Sequence, residues 1–98
     1  MSGPENEVIY DKDFLKDVRR LPAGLHEKIS DFIDVLRHDP FDPRLHTKPL
    51  SAPLQGMFAF RVSRDYRIGF KFSASHVIHL LAAANRDAIY QKLQRRRK

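Results

Sequence analysis

The chain contains no cysteine. That absence removes disulfide scaffolds, thiol nucleophiles and Cys-ligated zinc together, and it fits a cytoplasmic compartment without requiring one. Long apolar runs are missing too: none approaches the roughly 18 residues of a membrane span. The opening MSGPENE has no secretory pattern, so a soluble, unexported protein is expected. Histidines are present, but with neither HxxxH nor HxH spacing, and neither a metal site nor a cofactor is expected. Length is also in short supply. The 98 residues leave room for one domain, 1–98, at roughly 100 to 150 residues per domain, which excludes a two-domain enzyme with a large cofactor-binding half. A domain this small buries only about 60 to 65% of its unfolded surface, so any active site is expected to be shallow.

Acidic residues are scarce in one part of the chain. Residues 1–40 hold nine Asp/Glu and six Lys/Arg, a net of −3, whereas residues 41–98 hold three and twelve, a net of +9. Such segregation points to a polyanionic partner, nucleic acid first, with acidic proteins or anionic lipid surfaces as alternatives.

Hydrophobic periodicity organises the rest. EVIY (Glu7 to Tyr10) is β-prone and reads as an edge strand or as the lead into a helix. Phe14, Leu15, Val18 and Leu21 have helical spacing up to Pro22, and Leu25, Ile29, Phe32, Ile33 and Leu36 form a second stripe that stops at Asp39-Pro40. Two helices joined so tightly are expected to form a hairpin. Residues 40–56 carry four of the six prolines, which predicts a long loop without a central strand, bearing Arg44, His46 and Lys48.

The period then changes to two. Phe58, Phe60 and Val62 alternate with Met57, Ala59 and Arg61; beyond Ser63-Arg64-Asp65, the residues Tyr66, Ile68, Phe70 and Phe72 alternate with Arg67, Gly69 and Lys71. A β-hairpin that pairs Val62 with Tyr66 puts Phe60 against Ile68 and Phe58 against Phe70 on one face, and a one-residue slip destroys that agreement. The same register places Arg61 opposite Arg67 on the other face, with Lys71 further along. Facing like charges are unfavourable, so a bound anion or an acidic neighbour is expected there. VIHLLAAA (Val77 to Ala84) is apolar on both faces, as a covered central strand is, and residues 87–94 fit a short terminal helix before Arg95-Arg96-Arg97-Lys98. The expected fold is α+β, a small antiparallel sheet packed on an N-terminal helical hairpin, with a short C-terminal helix.

The run RVSRDYRI (Arg61 to Ile68), followed by Leu80-Leu81 and NRDAIY (Asn85 to Tyr90), with Lys48-Pro49-Leu50 upstream, resembles the RelE/ParE superfamily of type II toxins over nearly the whole chain. The resemblance implies a toxin neutralised by a cognate antitoxin. RelE-like members are ribosome-dependent mRNA endonucleases, and ParE-like members inhibit DNA gyrase without cleaving RNA. On the RelE-like reading, which the Arg61/Arg67 pair and Tyr90 favour, Arg61, Arg67 and Arg86 hold the scissile phosphate and Tyr90 is the acid or base. The alternative reading is a gyrase inhibitor or a degenerate module that only binds antitoxin, favoured because the first hairpin strand carries Phe58 and Phe60 where RelE-like nucleases often place lysines. A plain nucleic-acid-binding domain is a third.

Metal-free RNA cleavage needs a base for the 2′-hydroxyl, charge stabilisation at phosphorus and an acid for the 5′-oxygen. Guanidinium groups suit the middle task because they stay charged and can bond two phosphate oxygens at once. No base is fixed by the sequence: His46, Lys48, His76 and His79 are the candidates beside Tyr90. Lys48, His46, Lys71, Arg95 and Arg96 are expected to contact RNA, although the terminal RRRK has a solvated tail as its plainer reading. The plainer readings of the others are ion pairing of the arginines to Asp65 or Asp87, and packing of Tyr90 beside Ile89 and Leu93. His26 and His38 are expected at the surface without function. The antitoxin is expected to lie across the sheet or the basic face, contributing a helix with acidic or apolar residues and occluding the site or displacing the terminal helix.

Overall fold

A computed structural model describes residues 5–96; Arg97 and Lys98 of the predicted tail, and Met1 to Pro4 of the opening segment, lie outside the described residues. The chain forms strand β1 (Glu7–Tyr10), helices α1 (Lys12–Arg20) and α2 (His26–His38), strands β2 (Lys48–Pro49), β3 (Met57–Arg61), β4 (Tyr66–Ala74) and β5 (Val77–Asn85), and helix α3 (Ile89–Arg96). Asp11 starts α1 by accepting the Asp13 N–H at 2.9 Å, and Arg19 and Arg20 occupy its last turn, where cations oppose the helix dipole. Leu21 is extended ahead of Pro22, as the residue before a proline prefers, and Asp39 ahead of Pro40 ends α2 in the same way. His26 and His38 are exposed as expected.

The sheet has five strands in the order β1-β5-β4-β3-β2. The predicted hairpin register is observed: Phe58 pairs with Phe70, Phe60 with Ile68, and Arg61 with Arg67. β5 is covered on both faces, as its two-sided apolar sequence implied. The sheet departs from expectation in two places. EVIY is an edge strand, but it pairs parallel to β5, Glu7 with Val77 through Tyr10 with Leu80. The proline-rich segment contains a short strand, β2, antiparallel to β3. Pro49 is tolerated because β2 is the outermost strand, where a missing N–H breaks no ladder.

Two apolar layers flank the sheet. Phe14, Ile29, Ile33 and Leu36 from α1 and α2 close on Phe60, Ile68, Phe70, Ile78 and Leu80, while Ile89 and Leu93 of α3, with Leu54, cover Leu81, Ala82 and Ala84 on the other face. A bulge makes this possible. Gly69 pairs with Ala82 and Phe70 with Leu80, so Leu81 is an extra residue in β5, and the side chains on either side of it serve different layers. The second layer is built for close approach: a Cβ on Gly69 would lie 2.5 Å from a methyl of Leu93, which is itself fully buried. Gly69→Ala is therefore expected to cost about 1–3 kcal/mol through overpacking. Chemical denaturation should show it, and an unchanged midpoint would mean that α3 can move away freely.

α3 is also held electrostatically. β1 stops pairing at Tyr10, and beyond it α1 closes the open edge of β5. Asp17 on α1 accepts the Ala83 N–H at 3.0 Å and meets both guanidinium nitrogens of Arg96 and the Lys92 ammonium, at 2.6, 2.9 and 3.1 Å. Arg96 also donates to the Leu81 carbonyl at 2.9 Å. Among the described residues no buried side-chain polar atom is left without a partner, and no helix is long and apolar enough to cross a membrane.

Candidate active site

Three arginines meet where β3, β4 and the β5–α3 turn come together. Arg61 ends β3 and faces Arg67 across the hairpin. Arg67 is fixed by the turn it closes: its Nη1 donates to the carbonyl oxygens of Ser63, Arg64 and Tyr66 at 2.8, 3.0 and 3.2 Å. Arg86 is placed by backbone bonds. Its N–H donates to the Asp65 carbonyl at 2.7 Å, and the Asn85 side chain accepts the N–H groups of Asp87 and Ala88, which turns the chain into α3. Among the described residues, none of these three guanidinium groups forms an ion pair with a carboxylate. Burial pushes the Arg67 pKa below its ordinary value, as do Arg61 and Arg86, while Tyr90 and Asp65 oppose the shift. An arginine nevertheless stays charged at any physiological pH. Without an ion pair to a carboxylate among the described residues, such a cluster of cations would be stabilised by an external anion.

A pocket of about 240 Å³ opens over the cluster, lined by Arg61, Arg67, Arg86, His46, Lys48, Tyr90, Ala59 and Asp87. Tyr90, in the first turn of α3, is 45% exposed, so packing does not account for it. Lys48 on β2 pairs with Ala59, two residues before Arg61. His46 has the left-handed backbone conformation, φ 52°, which is uncommon for a residue with a Cβ and is found preferentially where loops present functional groups.

Other expected residues are elsewhere. α3 separates Lys71 from the cluster, because Leu93 sits over Gly69 between Arg67 and Lys71 on that face. Arg95 lies with Gln91 and Gln94 on a different surface. Arg96 is no tail residue: it belongs to α3, and its guanidinium is spent on Asp17. His79 is 3.4 Å from Asp11, and His76 occupies the β4–β5 turn with φ 63°; neither lines the pocket. Sequence reasoning passed over Lys28, Phe32 and Arg64, which with Arg44 line a neighbouring pocket sharing His46, Arg61, Arg67 and Arg86. The signal for Arg64 was present, since it lies between the two opposed arginines.

Among the described residues no group of His, Asp or Glu is arranged to hold a metal ion. What the site can do is bind a phosphodiester with several guanidinium groups and present a phenol and an imidazole to it.

No protein-family model and no curated protein sequence matches the chain. Solved structures do. The chain is similar to the YoeB/ParE toxin from Agrobacterium tumefaciens, at 20% identity over 81% of this chain and 96% of that one, with a TM-score of 0.69. Against the RelBE2 toxin–antitoxin complex from Mycobacterium tuberculosis, the identity is 24%, the coverage 84% and 99%, and the TM-score 0.71. YafQ from E. coli gives 18%, 87% and 98%, and 0.70. The β1–α1–α2–β2–β3–β4–β5–α3 chain thus has the fold of the RelE/ParE-type toxins.

Proposed function

We propose that this chain is the toxin of a type II toxin–antitoxin pair and that it cleaves mRNA on the ribosome. The observation that carries this reading is the set of three arginines, without ion pairs to carboxylates among the described residues, converging with Tyr90 and His46 on one pocket. In the proposed reaction the 2′-hydroxyl oxygen attacks the adjacent phosphorus and the bond to the 5′-oxygen breaks, leaving a 2′,3′-cyclic phosphate and a free 5′-hydroxyl. Arg61, Arg67 and Arg86 bond the non-bridging oxygens and stabilise the charge that builds there. A phenol hydroxyl can deliver a proton to the 5′-oxygen, and an imidazole nitrogen can take one from the 2′-hydroxyl. Tyr90 and His46 are given these roles. Lys48 adds to the field that attracts the RNA. The ribosome orients the substrate, which makes a shallow, lightly equipped site sufficient, and the toxin acts in the cytoplasm where ribosomes are.

The partner is a cognate antitoxin, as RelB is for RelE and DinJ for YafQ in the complexes that share this fold. An antitoxin presenting acidic residues fits the +9 balance of residues 41–98.

Cell-free translation of a defined mRNA tests the reading. Purified protein is expected to produce discrete RNA ends only when ribosomes are present. Full-length mRNA with undiminished protein synthesis would overturn it and direct attention to gyrase, through a supercoiling assay.

A further inference from the structure

Beside the arginine cluster lies a second basic pocket of about 360 Å³, walled by α2 on one side and the β3–β4 turn on the other. We propose that it is a second RNA subsite, which takes the phosphodiester next to the one that reacts. The inference rests on the reading of the first pocket as an RNA site and extends it along the strand.

The two pockets share His46, Arg61, Arg67 and Arg86, so they adjoin at these side chains, and a chain bound in the first can extend to the second. The second adds Lys28 and Arg64, both exposed and neither paired with a carboxylate among the described residues. Lys28 is oriented: its ammonium lies over the Phe32 ring, 5.7 Å from the centroid, a contact that holds the cation at the rim without neutralising it. Arg44 differs. It forms a two-pronged pair with Asp42, at 3.0 and 2.9 Å, and the pair contributes no net charge. The grip is therefore Lys28 and Arg64 acting with the shared arginines. A positively charged groove is how proteins track a single strand through its backbone; an acidic peptide helix would need an apolar stripe to pack against, and here the Phe32 ring is covered by Lys28.

The test separates binding from chemistry by using 2′-O-methyl oligoribonucleotides, which lack the attacking hydroxyl. Affinity is measured by fluorescence anisotropy for ligands of one, two and three phosphates over a range of salt concentrations, with wild type and the double variant Lys28→Gln/Arg64→Gln. Both positions are exposed, and the Arg64 carbonyl that holds Arg67 is kept. Wild type is expected to gain affinity from one phosphate to two. The double variant should lose that gain, keep wild-type affinity for one phosphate, and show a logarithmic salt slope smaller by about 0.7, the value for one phosphate contact on a single strand. Equal affinities of variant and wild type at every length would overturn the subsite. So would a glutamate peptide that binds wild type as tightly as RNA of the same charge and loses as much in the variant, since the groove would then be a peptide surface. Ribosome-dependent cleavage that is normal in the double variant, with unchanged oligonucleotide binding, sinks the subsite and spares the nuclease. Length-dependent binding that the double variant loses, with no cleavage by wild type on ribosomes, sinks the nuclease and spares the subsite.

Discussion

Arg61→Ala and Arg86→Ala are each expected to slow ribosome-dependent cleavage by about 10²–10³-fold, the effect of removing one preorganised donor from a site where negative charge develops, or about 2.7–4 kcal/mol. Both side chains are exposed and outside the core, so denaturation midpoints should stay within about 0.5 kcal/mol of wild type. Relief of repulsion between Arg61 and its opposite neighbour Arg67 can even raise stability. The combination of lost rate with unchanged or improved stability identifies a group placed for a ligand. Arg67 makes a different prediction. Its Nη1 closes the β3–β4 turn through carbonyl contacts, so Arg67→Ala should lose stability along with activity. Arg67→Lys, which keeps the charge but not the planar fork, should not restore either. Single-turnover cleavage on programmed ribosomes, with urea titrations of the same preparations, decides the matter. Wild-type rates in the Arg61 and Arg86 variants would remove both from the reaction.

The second large effect concerns Asp17, the buried carboxylate that joins α1 to α3. Its side chain is 1% exposed, against 23% for Arg96 and 27% for Lys92. Breaking a buried pair on one side costs about 3–5 kcal/mol, and partial hydration of the two cations places Asp17→Ala near the lower end. For a domain of this size the melting temperature should fall by more than about 10 °C, at roughly 4–8 °C per kcal/mol. Asp17→Asn keeps an acceptor for the Ala83 N–H and should lose less. Cleavage should fall in both, because Tyr90 rides on the helix that loosens. Equal melting curves for wild type and Asp17→Ala would show that the network does not hold α3.

The pH dependence follows from the same group. Burial alone would raise the Asp17 pKa, but the hydrogen bonds from Arg96, Ala83 and Lys92 outweigh it and hold the carboxyl below its ordinary 3.8. The native state thus binds this proton less readily than the unfolded chain does. The stabilisation is complete above the unfolded value and is lost as pH falls through 3.8 toward the folded one. Wild type should lose stability in that window, and Asp17→Asn should lose less.

The hairpin was legible in the sequence because alternating aromatics admit one register, and that register fixed the Arg61/Arg67 pair. β5 was legible from its two-sided apolar run. Of the residues named for the site, Arg61, Arg67, Arg86, Tyr90, His46 and Lys48 come together in one pocket. What was not legible has physical causes: EVIY is an edge strand, one of its two expected readings, but its partner was hidden. EVIY is four residues long and pairs with a strand about seventy residues away, and local pattern carries no information on so distant a partner. β2 was hidden by proline, whose usual prohibition lapses at an outermost strand. Lys71 shares a face with Arg67, but strand alternation does not reveal that a helix crosses between them. Arg96 looked like part of a basic tail because its partner is 79 positions away. A clue did exist: Asp17 falls within the Phe14, Val18, Leu21 stripe, where a carboxylate needs a counter-charge.

The Asp17 network and the β1–β5 ladder also set an order of events during synthesis. Everything that β1, Asp17 and the free edge of β4 require is supplied by residues 77–96. Until those residues have been made, the nascent chain carries a strand without a neighbour, a carboxylate without cations and an unprotected sheet edge, and it has neither Arg86 nor Tyr90. Non-local closure of this kind also slows folding and exposes the incomplete chain to aggregation. On the proposed reading, a chain terminated before these residues is expected to be inert.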